Sequence, residues 1–267
     1  MSLIVVRAIG LVTVQDRGRH GRMHEGLAPG GALVPELLAA ANRRVQNPDD
    51  AAAIEVMGTV TMRADGAMRV ATDAIEPRDL RVGDEITVAS ERHRAAYLAV
   101  RGGIDAPVVL GSRSTQLSAG IGRLLRSGDR LSMGEVPIVS RPVEAFEPVD
   151  VVRVIPGPDH TAFATHALVV LTSSPYVVLP SSDRVGMRLE GPALPGVTRR
   201  DVTRPMVCGA IEVPPDGRPI VLGPEHPTTG GYPVIAVVAH DDRGRCFARA
   251  PGQVVRFACL PLAAPVR

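Results

Sequence analysis

Short β-branched runs recur along the chain at Leu3–Val6, Leu11–Val14, Ile86–Ala89, Tyr97–Val100, Val151–Ile155, Ile220–Leu222 and Val234–Val238. Glycine and proline punctuate them throughout rather than gathering in one linker. Many short strands divided by such turns predict a mainly β protein, a barrel or a sandwich. Three segments share one pattern, a glycine-centred turn entering an alternating strand: Arg81-Val-Gly-Asp-Glu-Ile-Thr-Val, Arg126-Ser-Gly-Asp-Arg-Leu-Ser-Met and Ala250-Pro-Gly-Gln-Val-Val-Arg-Phe. They read as equivalent closing hairpins and as a sign of internal duplication. Two helices interrupt the strands. Pro35 suits a first helical turn, Leu37, Ala41 and Val45 fall on one face, and Asn47-Pro48 stops the run. In the second half, Asp159 is placed to cap a helix carrying Phe163, Ala167 and Leu171 on one stripe. One helix early in each half predicts two lobes, 1–145 and 146–267, divided in the acidic, proline-containing stretch Arg141–Asp150.

Composition narrows the chemistry. A chain of 267 residues with 45% hydrophobic content can bury a large core. Net charge is only +2 and aromatic content 3%, so neither a basic face nor stacking rings mark a nucleic-acid surface. All 30 basic residues are arginine. Without lysine there is no Schiff base, no pyridoxal phosphate anchor and no P-loop, so if the protein serves an ATP-driven reaction the nucleotide is expected to bind mainly elsewhere. Cys208, Cys246 and Cys259 form no C-x-x-C pair, which argues against a disulfide framework or structural zinc. Arg7 breaks the first apolar run, so no secretory signal is expected, and no run is long enough to span a membrane. A cytoplasmic protein is expected.

Three polar strings carry candidate chemistry. Arg113 lies among Ser112, Ser114 and Thr115, where a guanidinium and hydroxyls can hold a carboxylate or remain a loop brace. Thr228-Thr-Gly-Gly-Tyr-Pro joins the hydroxyls of Thr228, Thr229 and Tyr232 to flexible glycines, with Glu225 and His226 upstream as proton carriers, or forms a tight hairpin. Asp16 and Arg19, in Gln15-Asp-Arg-Gly-Arg19, suit a polar ligand or an ion pair closing a loop. His20 and His24 lack a third ligand, so no metal is expected. Neither G-x-S-x-G nor a cysteine–histidine signature is present.

Six strings in order are more distinctive: Thr13-Val-Gln-Asp-Arg-Gly-Arg19, Tyr97-Leu-Ala-Val-Arg-Gly-Gly103, Leu110-Gly-Ser-Arg-Ser-Thr115, Ser182-Asp-Arg-Val-Gly-Met-Arg-Leu-Glu-Gly-Pro192, Val213-Pro-Pro-Asp-Gly-Arg-Pro-Ile220 and Thr228-Thr-Gly-Gly-Tyr-Pro233. Through them almost the whole chain resembles the biotin-dependent carboxyltransferase family, also called the 5-oxoprolinase C subunit, allophanate hydrolase subunit 2 or KipI antagonist. The resemblance implies a two-lobed, cyclophilin-like β-barrel architecture with a few short helices. It implies a subunit of an ATP-dependent 5-oxoprolinase, which opens 5-oxoproline to glutamate, or of a related carboxyltransferase complex. The implied partners are an allophanate hydrolase subunit 1-like protein, which is the 5-oxoprolinase B subunit, and the 5-oxoprolinase A subunit. No cofactor is then bound directly by this chain; the partners supply ATP and, where used, carboxybiotin. The family's Pro-Ser-Gly-Ala-Met-Asp string becomes Pro29-Gly-Gly-Ala-Leu-Val34, losing a hydroxyl at Gly30 and a carboxylate at Val34. That loss favours a non-catalytic regulator antagonising a KipI-like partner, whereas the retained serine- and threonine-rich strings favour the enzyme. Under the enzyme reading, Arg113 and the Thr228–Tyr232 loop are expected to share one pocket between the lobes.

Overall fold

A computed structural model describes residues 1–147, 149–195 and 203–260. Pro148, inside the expected linker, lies outside the described residues. The chain divides into two compact units, Met1–Gly21 with Pro29–Phe146, and Arg22–Ala28 with Glu147–Arg267.

The first unit is a seven-stranded sheet with one helix. Its strands are β1 (Ser2–Gln15), β2 (Ala53–Ala64), β3 (Met68–Thr72), β4 (Arg78–Leu80), β5 (Glu85–Ala89), β6 (Ala96–Val100) and β7 (Arg130–Ser132), with α1 spanning Pro35–Arg44. They lie in the order β4-β3-β6-β2-β1-β7, and β5 also pairs with β2. The two apolar runs at Leu3–Val6 and Leu11–Val14 are one strand, not two. Between them Gly10 faces Gly58 of β2. A Cβ on Gly10 would stand 2.3 Å from the Met57 carbonyl, so only glycine lets the ladder continue. Alternate residues Val12, Val14, Ile54, Val56, Val60 and Met62 fill the core. Helix α1 begins at Pro35 and buries Leu37 and Ala41, followed by buried Val45, as the periodicity predicts.

In the second unit a closed barrel runs β10-β13-β12-β15-β8-β16-β9. Its strands are β8 (Val151–Pro156), β9 (Tyr176–Val178), β10 (Gly186–Glu190), β12 (Ala210–Glu212), β13 (Ile220–Leu222), β15 (Val234–Val238) and β16 (Val254–Cys259). A separate ribbon pairs β11 (Arg204–Pro205) with β14 (Thr229–Gly230). Interior positions Val154, Met187, Leu189, Ile211, Val221, Ala236, Val255 and Phe257 are all buried. Closure leaves no open edge among these seven strands. The remaining helices are α2 (Ala167–Ser173) and α3 (Arg243–Phe247). The expected helix from Asp159 is different here. A 3-10 turn, His160–Ala162, ends before Phe163, and α2 starts only at Ala167. Asp159 makes no cap; its carboxylate accepts the Val234 N–H at 3.0 Å and pairs with Arg204 at 2.7 Å, a stronger demand than capping. Phe163, Ala167 and Leu171 are buried nonetheless.

The three glycine turns share one hydrogen-bond pattern. The N–H groups of Gly83, Gly128 and Gly252 each donate at 2.8 Å to a neighbouring strand carbonyl, from Ala64, Val5 and Val178. Asp84, Asp129 and Gln253 each accept the N–H three residues earlier through the side chain. All three glycines have φ near +90° (90°, 91° and 86°), which explains why glycine recurs there. The mainly β barrel architecture with few helices thus holds. Among the described residues no helix is long and apolar enough to cross a membrane.

Candidate functional site

In the first unit, the loop after β1 carries Asp16 at 8% exposure, where it organises the neighbouring serine-rich loop. Its carboxylate accepts the Ser112 and Ser114 hydroxyls, both at 2.5 Å, the Arg113 N–H at 2.6 Å and the Gly18 N–H at 2.8 Å. Ser114 in return accepts the Asp16 N–H at 2.8 Å. Arg19, 2% exposed, donates to the carbonyls of Val109, at 2.9 Å, and Ser114, at 2.5 Å. Thr115 is pinned by its N–H to the Val14 carbonyl, and its own carbonyl accepts Gln15 Nε2. Ser112, Arg113 and Ser114 therefore meet Asp16 and Arg19, and Thr115 meets Val14 and Gln15, across about a hundred residues of sequence. The Arg113 guanidinium leaves this cluster and engages Asp105, at 2.8 Å, and the Ala106 carbonyl. It is a third exposed, as expected of a loop brace more than of a buried anion clamp.

The Pro29–Val34 segment locks onto the same loop. Ala32 N–H donates to the Asp16 carbonyl and Arg19 N–H to the Pro29 carbonyl. Gly31 lies so close to Arg17 that a Cβ would stand 2.8 Å from its backbone. At Gly30 a Cβ would meet the Gln116 Oε1 at 3.1 Å. Behind the segment, Glu55 of β2 accepts the Leu33 N–H at 2.7 Å and the Tyr97 hydroxyl at 2.6 Å, while Tyr97 accepts the Val34 N–H at 2.9 Å. Val34 is fully buried. Sequence reasoning passed over Glu55 and Tyr97. Each sits inside an apolar strand, and a polar residue amid hydrophobic ones was the available signal.

In the second unit, Glu225 and Arg184 form a buried ion pair at 2.6 Å, with side-chain exposures of 3% and 4%. Glu225 N–H donates to the Arg184 carbonyl, and His226 N–H to that of Gly223, completing a tight turn. His226 is 2% exposed, and its Nδ1 stands 2.8 Å from the Pro227 carbonyl. A carbonyl only accepts, so Nδ1 carries the hydrogen and Nε2 keeps its lone pair. Nε2 is buried without a hydrogen-bond partner among the described residues. Burial holds the imidazole below its ordinary value of 6.5, against a small opposing effect of the Pro227 bond. Downstream, Thr229 and Tyr232 are exposed and Thr228 half-buried. Among the described residues none of the three hydroxyls makes a hydrogen bond, although Thr228 lends its carbonyl to Met206 N–H.

The His226 shift predicts a pH dependence with a definite sign. Because the folded value lies below 6.5, an unfolded chain takes up the proton first as pH falls. The stability from this group is therefore complete above about pH 6.5 and declines as pH drops through 6.5 toward the folded value. Urea midpoints measured from about pH 8 to about pH 5 should fall more steeply for the native chain than for His226→Gln. Parallel curves would show that His226 titrates alike in both states.

Residues 25–259 match the carboxyltransferase domain, subdomain A and B. The chain is similar to the 5-oxoprolinase C subunit of Escherichia coli, 34% identical over 96% of this chain and 90% of that protein. Among solved structures, it is similar to TTHA0988, 30% identical with a TM-score of 0.84 over 96% of this chain, yet it spans only 55% of the TTHA0988 chain. The urea carboxylase of Kluyveromyces lactis superposes with a TM-score of 0.85 at 25% identity, over 97% of this chain and 27% of that enzyme. By that match over most of its length and by its identity to the 5-oxoprolinase C subunit, the chain belongs to the family of carboxyltransferase domains built from subdomains A and B.

Proposed function

We propose that this chain is the C-type component of an ATP-dependent 5-oxoprolinase, or the equivalent part of a related carboxyltransferase complex. It is active only when assembled with the 5-oxoprolinase A subunit and an allophanate hydrolase subunit 1-like B subunit. Support comes from the 5-oxoprolinase relative, which this chain matches over nine-tenths of that protein's length. ATP and any carboxybiotin are supplied by the partners, since a sequence without lysine has no P-loop. The single observation that carries the chemical reading is the His226 Nε2, a buried nitrogen base with its lone pair unengaged among the described residues. His226 accepts and returns a proton, and the Thr228, Thr229 and Tyr232 hydroxyls hold the amide or ureido group of the small-molecule substrate. Glu225 stabilises the turn that presents His226. Asp16 and Arg19 brace the Ser112–Ser114 loop within the first unit, and the Arg113 guanidinium turns to Asp105.

Co-expression with both partner proteins should give one assembly on size exclusion that releases glutamate from 5-oxoproline only with ATP, while the lone chain binds no ATP by calorimetry. A stable assembly without turnover of 5-oxoproline or urea would instead favour a regulator of the KipI-antagonist kind. One observation favours that second reading: the position of the family carboxylate is taken by Val34, fully buried. If assembly and turnover are both seen, His226→Gln should lower kcat far more than it raises KM, as expected for a group acting on a proton in the transition state.

A further inference from the structure

Among the described residues, two that are not glycine hold a positive φ, Gln46 at 60° and Leu110 at 51°. Leu110 stands with Gly111, φ 83°, at the tip of a two-residue hairpin closed by Val109 and Ser112. Each of that pair donates its N–H to the other's carbonyl, at 2.8 and 3.2 Å. A hairpin of this class needs both central residues left-handed, and it favours Asn-Gly or Asp-Gly. Leucine is unfavourable there, because its Cβ crowds the following carbonyl oxygen. Burial does not offset the strain: Leu110 is 46% exposed, Val108 59% and Val109 38%. From Pro107 to Gly111 every residue is apolar and exposed.

The tip is exposed, but its base is fixed. Arg113 donates to the Ala106 carbonyl ahead of the hairpin, and Arg19 to the Val109 carbonyl within it at 2.9 Å. Asp16 takes the Ser112 hydroxyl and the Arg113 N–H on the other arm. Both arms are thus tied to charged groups of the first unit, and the apolar tip is presented in one shape. A loop facing only water gains nothing from a run of exposed apolar residues strained at its apex, whereas a protein-binding projection uses both features. Holding the tip in its bound shape lowers the ordering cost of association. Between Asp105 and Leu117 the one basic residue is Arg113, and it pairs with Asp105. The tip therefore lacks the basic rim with which loops attach to anionic membranes, and it suits an apolar socket on a protein.

We infer that the Val108–Gly111 hairpin is the anchor by which the first unit docks the allophanate hydrolase subunit 1-like B subunit, with Val108 and Leu110 buried in an apolar socket of that partner. The inference rests on the C-type subunit reading proposed above. The chain fills 90% of a separate 5-oxoprolinase C subunit but 55% of the TTHA0988 chain. What TTHA0988 carries beside this domain is thus 100% less 55%, or 45% of its length, too short for a second copy. The companion that accompanies this domain there is accordingly of a different kind from the domain itself. A domain joined covalently to its companion in one relative must, as a separate subunit, be held by contacts alone, and exposed apolar side chains supply them.

Leu110→Asn separates stability from binding. It gives the turn a favoured residue and removes an exposed apolar side chain, so the urea midpoint of the lone chain should rise. Calorimetry of the full chain against the purified B subunit should show Kd weakened at least about tenfold, the loss implied when one leucine side chain is no longer buried. Adding Val108→Thr, which brings a hydroxyl to the same socket, should weaken it further. A lower midpoint for Leu110→Asn would show that the leucine packs within the fold, and equal Kd values would place the hairpin outside the interface. Either result overturns the inference and leaves the subunit reading standing. No binding of the B subunit by the native chain would overturn both. A lone chain that elutes as a dimer, and as a monomer once Leu110→Asn is made, would assign the hairpin to a second copy. Flotation of the native chain with anionic phospholipid vesicles, lost in Leu110→Asn, would assign it to a membrane. Each of these two results overturns the inference.

Discussion

Asp16→Ala should unfold the chain at markedly lower denaturant, with a loss on the order of 4 kcal/mol. The carboxylate gathers two serine hydroxyls and two backbone N–H groups, and the neighbouring side chains are buried. Removing it strands all four donors where water does not readily replace the acceptor, and each stranded group carries a penalty of about 1–3 kcal/mol before relaxation. Asp16→Asn, which keeps an acceptor oxygen, should lose about half as much. Arg113→Ala makes the contrast. Its partner Asp105 is 55% exposed and the guanidinium itself a third exposed, so the loss should be at most about 1 kcal/mol. Equilibrium urea unfolding of the three variants checks the order. An Asp16→Ala loss no larger than that of Arg113→Ala would show that the loop holds its shape without the carboxylate.

Arg184→Met should cost about 3–5 kcal/mol, because it leaves Glu225 charged in a buried turn without its guanidinium. Both side chains are under 5% exposed, so solvent screening offers little relief. The double variant Arg184→Met/Glu225→Leu should recover much of the loss, since apolar replacement of a whole buried pair is often close to neutral. Additive losses in the double-mutant cycle would mean that the pair is not the dominant interaction of either residue. In the assembled complex the same variants should also lower turnover, because the Arg184–Glu225 turn carries His226.

The residues themselves announced the β architecture. Alternating β-branched runs, glycine turns and Pro35 at a helix start are local signals, and local backbone sterics decide them. The three glycine turns were legible for the same reason: each needs a left-handed residue followed by a side-chain acceptor, and four consecutive residues contain both. Gly10 shows the limit. It reads as a break between two strands, but the opposing Gly58 makes it the point where one strand passes close to another, which is a fact about pairing.

The polar strings were visible in the sequence as candidates, but their partners were not. Nothing near Arg113 in sequence says that its guanidinium turns to Asp105 while its N–H turns to Asp16, ninety-seven residues away. Glu55 and Tyr97 are single polar residues within apolar strands, and periodicity assigns them only to a face. Whether such a group is paired depends on which strand lies opposite and which loop covers it. For Glu55 the tertiary structure supplied donors, and for Arg184 an acceptor. Chain-local sterics thus fixed the elements and their turns, while long-range packing, which alone determines desolvation and hydrogen-bond partners, decided which polar residues brace the fold.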